Sequence, residues 1–454
     1  MKSFLIISKD NLLLAMIGSA VIGVGFSYSD LYLFHVLFGI YLIFQIYQMK
    51  KNLFKVKLNF INDNNALFLL FMILWYALTA LWVEDLFLAL KYIFYIACGI
   101  AISLSIVHFS YKQTNLDKIF RFLGIFFIIE LFIALLESFT NFRMPISSYS
   151  NIAPFFGKDP VDFFVSDNIL FYSDFTPPTG FHWNTNDLAI AMNIILPFFL
   201  CSKKIYLKFF GIICVSTIII MTASRAVFLG LILIYCLYLI IIKKKIVTLF
   251  LVWVITLGLF LGLIQSRESE NPRINELANS IEALSLYLKG DVDIGGSLEW
   301  RRELVDNGLE AFTKTYGLGL GAGGSTANQE KIGAVAGRFT SMHNFWIEIL
   351  VEGGIIFACI IFFWYSNIIY RLFLISRSTI NSNLIYYSKS LLLSMIAFIP
   401  SAVAASSTIY FFPMWIMFGF SIAVINLNRQ KKKLPIKSQH HSDSFKISKK
   451  FLPA

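Results

Sequence analysis

Apolar stretches of near-helical length recur along the whole chain, separated by short polar turns. Twelve of them read as transmembrane helices, near 11–28, 31–48, 65–83, 86–108, 118–138, 186–201, 205–223, 225–242, 246–265, 344–370, 385–404 and 407–427, because a spanning helix needs ~20 mostly apolar residues. The first lacks a small-x-small cleavage site and the second follows after a very short turn, so it reads as a span and not as a signal peptide. Two segments, 139–185 and 266–343, are too long to be mere connectors, since loops beyond ~12–15 residues usually carry function or structure of their own. In the second, 271–289 and 297–314 have apolar residues at helical spacing, the latter through Leu298, Val305, Leu309 and Phe312. The pattern predicts an all-α polytopic membrane protein. A single transmembrane domain of about 12 helices would cover 1–428, with a large helical outer loop, ahead of a basic tail over 429–454.

Composition removes the competing classes. Of 454 residues, 57% are hydrophobic and 14% charged, with a mean hydropathy of +0.71, whereas a soluble domain carries about 25% charged residues. Cys98, Cys201, Cys214, Cys236 and Cys359 lie in or beside apolar runs with no CxxC or neighbouring histidine. They read as small core residues, with no zinc site and no disulfide framework. The net charge of +11 follows from topology. With the N-terminus cytoplasmic, most of the 38 basic residues fall in inner turns and in the tail, as Lys50, Lys51, Lys203, Lys204, Lys243 and Lys244 do. That pattern satisfies the positive-inside rule with both termini cytoplasmic. The basic balance then reflects contact with anionic lipid and not with nucleic acid.

A few polar residues stand where hydrocarbon or a loop helix makes them costly. Arg225 lies in MTASRAVFLG, at the tight outer turn between two spans. It is either a headgroup anchor or a fork for phosphate oxygens. Arg301 and Arg302 interrupt the apolar stripe of 297–314, on the side of Leu298 and Val305, and need either an anion or the carboxylates of Glu299 and Glu303. Gly319 and Gly321 belong to YGLGLGAGGS, a turn or a place of close backbone approach to a ligand. His343 opens the tenth span, as a structural histidine or as a base near physiological pH. Asn344 and Glu352 follow it, and Glu352, about two turns into the span, needs a hydrogen-bonding partner and orients the helix. Lys91 either snorkels from inside the fourth span or contacts phosphate. Glu130 and Glu137 share one helix face, as a proton site or as inter-helix hydrogen bonding. Asn184 and Asn186, beside His182 and Trp183, either cap the sixth span or recognise a sugar.

Ser224–Arg225, the arginine helix leading into Gly-x-Gly-x-Gly, and His343–Asn344 followed by Glu352 and Gly354 resemble the O-antigen ligase/polymerase superfamily of bacterial membrane glycosyltransferases. That superfamily includes teichuronic acid polymerases, and TALWVEDLFLALKY resembles its segment after an early span. The resemblance implies a GT-C-like bundle and a metal-independent, inverting sugar transfer on the outer face of the plasma membrane, with no cofactor. The donor would be an undecaprenyl-diphosphate-linked glycan and the acceptor a growing polysaccharide. Membrane lipid, a flippase and a chain-length regulator would be partners, and nucleic acid would not. Arg225 and Arg301 would hold the leaving diphosphate, Arg301 aligning better than Arg302 with the loop arginine, and His343 would be the general base. Lys91, Arg302, Asn344, Gly319, Gly321, Asn184 and Asn186 would contact substrate. One departure is that Pro177, Pro178 and Thr179 precede Gly180 where an arginine is usual. A polymerase is the first expectation and a ligase its sibling. A lipid-linked oligosaccharide flippase is the alternative of another class, and the long outer loop speaks against it.

Overall fold

The computed structural model describes residues 9–51, 63–160, 176–243, 297–332, 341–378, 381–404 and 411–433. The expected span near 246–265 and the expected helix 271–289 lie outside them. The other apolar stretches coincide with helices: α1 (Lys9–Ile22), α2 (Leu33–Lys51), α3 (Asn64–Thr79), α4 (Leu86–Phe109), α5 (Gln113–Phe139), α6 (Thr185–Leu200), α7 (Ile205–Met221) and α8 (Arg225–Leu237). A π-turn, Tyr238–Lys243, extends α8. Then come α9 (Ser297–Lys314), α10 (Gly324–Ile332), α11 (Phe345–Gly353), α12 (Ile355–Ser378), α13 (Ser382–Ser401) and α14 (Phe412–Lys433). A two-residue-per-strand hairpin, Ser27–Tyr28 with Leu31–Tyr32, joins α1 to α2. Helix α14 runs to Lys433 and so carries regular structure past the end expected for the membrane domain. The protein is a multi-pass membrane protein. By length and apolarity, five of the described helices can cross a bilayer: α4, α5, α8 with its π-turn, α12 and α13. Five more apolar helices have 10–17 residues, short of the ~20 that ~30 Å of hydrocarbon asks for.

The two ends of the bundle are held by different polar sets. At one end the Asp117 carboxylate accepts from Tyr387 (2.6 Å) and Asn383 (3.2 Å), and Asp63 accepts from Asn426 (2.7 Å). At the other, the loop end, the loops and the short helices α9–α11 gather. Between them, small residues let helix backbones approach. A Cβ on Gly419 of α14 would lie 2.7 Å from the Ser103 backbone of α4, and Ser103 donates to the Trp415 carbonyl at 2.6 Å. Close approach of this kind supplies the dispersion contacts that hold helices together in lipid.

The expected span 344–370 is broken. Gly354, at φ +85°, separates α11 from α12. In a continuous helix Ile355 N–H would donate to the Val351 carbonyl. Instead Ile355 donates to Gly317 (3.0 Å), while Val351 and Glu352 accept from Leu320 (2.8 Å) and Gly321 (2.9 Å). A helix break within a membrane protein leaves backbone groups that need partners, and the glycine loop supplies them. Trp75 and Trp82 close the joint by donating to the carbonyls of Gly353 (2.9 Å) and Gly319 (3.0 Å). Thr79 Oγ1 accepts from Ala322 N–H at 3.1 Å.

Helix α9 exists where expected, but its buried face differs. The stripe is Leu304, Gly308 and Ala311, and Val305, Leu309 and Phe312 are only partly buried. A Cβ on Gly308 would lie 2.5 Å from Met342 Cε, so a face that reads as weakly apolar is the one that packs tightest. Replacing Gly354 by alanine forces an L residue to φ +85°, ψ 166°, a region essentially reserved for glycine at a cost of roughly 1–3 kcal/mol, and drives a methyl against the Leu318 carbonyl. We expect Gly354→Ala to lower the thermal unfolding temperature of detergent-purified protein. Wild-type stability would contradict the clasp.

Candidate functional site

Three elements deliver one charged cluster. Arg225 is the first residue of α8, reached through Ala223 in the left-handed region (φ +52°) and the N-cap Ser224. It therefore stands at the positive end of the helix dipole, a place that favours anions. Arg301 lies three residues before Leu304 on the inward face of α9. His343 is itself left-handed (φ +49°), its N–H directed to Ser341 Oγ at 3.5 Å. Such backbone strain in a non-glycine residue concentrates at functional sites.

The electrostatics tie the three together. Burial lowers the affinity of the Arg301 guanidinium for its proton, and the charge of Arg225 lowers it further. Burial also pushes His343 down to about 4, with Arg301 adding to the effect. Two guanidiniums thus repel each other beside an imidazole that is neutral at physiological pH. This is a positive cluster suited to an anion, with a proton acceptor beside it.

The remaining expected site residues divide between this cluster and other tasks. Arg302 faces away from it, 3.6 Å from Asp306 and 60% exposed, because the buried face of α9 runs through Leu304 and not through Val305. Asn344 caps α11, its side-chain oxygen accepting from Trp346 (3.2 Å) and Ile347 (3.3 Å). Gly319 and Gly321 meet protein backbone: a Cβ on Gly319 would lie 2.6 Å from the Glu352 carbonyl oxygen, and one on Gly321 would strike Val83. Glu352 is fully buried and accepts from Ser325 Oγ at 2.6 Å, which fastens α10 to α11. Gln329 of α10 in turn donates to the Leu304 carbonyl at 2.9 Å, so Glu352 and Gln329 together set the position of α9. Nothing in the spacing of Ser325 and Gln329 announced this role.

Lys91 and Asn184 belong to a neighbouring cavity of about 410 Å³ that also reaches Ser341, two residues from His343. Lys91 pairs with Asp30 at 2.7 Å. Asn184 caps α6, accepting from Asp187 N–H at 2.9 Å, and Asn186 is half-buried in the first turn of that helix. Lys158, which the sequence reading passed over, sits 5.5 Å from the Trp183 ring centre and 5.8 Å from that of Tyr32. Burial lowers its proton affinity, Asp30 opposes that and Lys91 adds to it. The only signal for Lys158 was its place in a loop too long to be a connector. The loop itself is anchored by Glu137, whose carboxylate accepts from the backbone of Met144 (2.9 Å), Thr179 (2.7 Å) and Gly180 (2.7 Å). His182 Nε2 lies 2.9 Å from buried Glu130. Burial alone would lower His182, but that carboxylate outweighs it and raises the imidazole above its ordinary value.

Residues 210–363, from within α7 into α12, match the family model of O-antigen ligase. That segment belongs to the O-antigen ligase family. It contains Arg225, Arg301 and His343, and the clasp between the glycine loop and α11. Over a longer stretch, the chain is 22% identical over 378 residues to the teichuronic acid biosynthesis protein TuaE of Bacillus subtilis (strain 168), an alignment covering 81% of this chain and 73% of that protein. The O-antigen ligase segment therefore holds the whole charged cluster, whereas the Lys91–Lys158 cavity is built mainly from residues before it.

The coupling between Arg301 and His343 is directly measurable. Histidine-labelled protein is expected to show His343 titrating near 4. In Arg301→Met the midpoint should rise, since the opposing charge is gone, yet stay below the ordinary value because burial remains. An unmoved midpoint would separate the two residues.

Proposed function

We propose that the protein is a glycosyltransferase that polymerises undecaprenyl-diphosphate-linked repeat units into a surface polysaccharide. It would act on the outer face of a bacterial plasma membrane, with about 12 spans and both termini cytoplasmic. The observation that carries this reading is the like-charge coupling of Arg225 to Arg301 beside a neutral His343. An anion with several oxygens relieves that repulsion, and guanidinium matches diphosphate oxygens bidentately.

The chemistry follows from the same groups. An acceptor hydroxyl oxygen attacks the anomeric carbon from the face opposite the diphosphate, and the carbon–oxygen bond to the diphosphate breaks. The bonding pair leaves with the diphosphate, whose growing negative charge Arg225, Arg301 and the N-terminus of α8 stabilise. His343 takes the hydroxyl proton, and configuration inverts. With the donor bound, its negative charge offsets Arg301 and raises the basicity of His343, so the base strengthens when it is needed. The reaction needs no metal, because the guanidiniums supply the charge. The Lys91–Lys158 cavity, with its aromatic faces at Trp183 and Tyr32, offers a place for the glycan. The relation to a teichuronic acid biosynthesis protein and the O-antigen ligase segment support the substrate class.

Purified protein in liposomes, supplied with an undecaprenyl-diphosphate-linked repeat unit, should yield a ladder of glycan lengths on a gel. Addition of a preformed glycan to a lipid or protein acceptor, with no ladder, would assign a ligase. No turnover with either acceptor would favour the transporter class. His343→Ala should reduce turnover ~10²–10⁴-fold, and Arg225→Lys or Arg301→Lys ~10²–10³-fold, each with normal membrane insertion. A chelator should leave the initial rate unchanged.

A further inference from the structure

At the end of the bundle opposite the Arg225–Arg301–His343 cluster, a groove of about 520 Å³ opens between α5, α6, α13 and α14. Its walls are apolar, with Phe120 and Ile128 of α5, Phe198 of α6 and Met417 of α14. Its mouth is basic: Arg121 from α5, with Lys203 and Lys204 from the turn between α6 and α7, all exposed. The acidic group beside that mouth, Asp117, has its carboxylate taken up by Gln113 (3.0 Å), Tyr387 (2.6 Å) and Asn383 (3.2 Å). Arg121 Nε donates to the Asp117 backbone carbonyl at 3.3 Å. Part-way along the wall, a Cβ placed on Gly124 would have no atom within 4 Å.

We propose that this groove binds one diacyl anionic phospholipid of the leaflet at that end. Its phosphate would lie on Arg121, Lys203 and Lys204, and an acyl chain would run along the aromatic wall past Gly124. Depth selects a leaflet lipid: Phe120 to Ile128 rises ~12 Å along α5, close to the ~15 Å of hydrocarbon in one leaflet. Charge selects the headgroup, because a guanidinium and two ammoniums line the mouth, at the level where an anionic headgroup sits. The lipid would bridge α5 to the α6–α7 turn, and its binding does not depend on the reaction proposed above.

The test is native mass spectrometry of the full-length detergent-purified protein, titrated with phosphatidylglycerol and with phosphatidylcholine of identical chains. Wild type should retain one phosphatidylglycerol under activation that strips phosphatidylcholine. The triple variant Arg121→Gln, Lys203→Gln, Lys204→Gln should bind phosphatidylglycerol on the order of a hundredfold more weakly, the combined worth of three cations at an anionic surface. Gly124→Trp should reduce retention of both lipids while unfolding, without lipid, at the wild-type temperature. Equal retention of the two lipids by wild type, or unchanged phosphatidylglycerol binding in the triple variant, overturns the proposal. Displacement by inorganic phosphate alone would also overturn it, since the cations would then form an anion site without the groove.

Discussion

Two amide groups of a glycine-rich loop, Leu320 and Gly321, donate to the carbonyls of Val351 and Glu352 where a membrane helix stops. Most of the loop-end architecture depends on that exchange. A break in an apolar helix is costly unless its backbone groups find partners, and the loop that satisfies them is the one that follows α9. The break therefore fixes how far α9 stands from α11, and with it the separation of Arg301 from His343. Gly354 allows the turn and Gly319 allows the approach. Glu352 and Gln329 add side-chain ties that leave α10 little freedom.

Within that scaffold the charges of Arg225 and Arg301 oppose one another. Burial and the charge of Arg225 both lower the proton affinity of Arg301, and burial and the charge of Arg301 lower that of His343. In the proposed reaction, an anionic leaving group would relieve this like-charge coupling as it forms, the way preorganised charge accelerates group transfer. Two buried carboxylates serve the scaffold, Glu352 holding α10 and Glu137 accepting from three backbone amides of the first loop. The opposite end of the molecule uses charge in another way, pairing Asp117 and Asp63 with neutral partners while Arg121, Lys203 and Lys204 face outward.

Local composition along the chain placed most of the described helices, though not α10 and not the break between α11 and α12. Twenty or so apolar residues in a row have little alternative to a helix in lipid, and an arginine at a tight turn or a histidine at a span boundary stands out because hydrocarbon penalises it. Arg225 and His343 were legible for that reason, and α9 was legible from its period. The tertiary structure decided what periodicity leaves open. Val305 and Leu309 are more apolar than Gly308, yet Gly308 is the residue that packs on Met342, so the inward arginine is Arg301 and the outward one Arg302. Likewise 344–370 reads as one span, since apolar composition is blind to a hydrogen-bond partner thirty residues upstream that makes a break affordable. Ser325 and Gln329 gave no sequence signal, and Lys158 only that of its long loop, because their roles exist only once the chain has folded back on itself. Hydrophobicity is a property of single positions summed along a segment, whereas register, capping and the meeting of like charges are properties of pairs, and pairs are set only by packing.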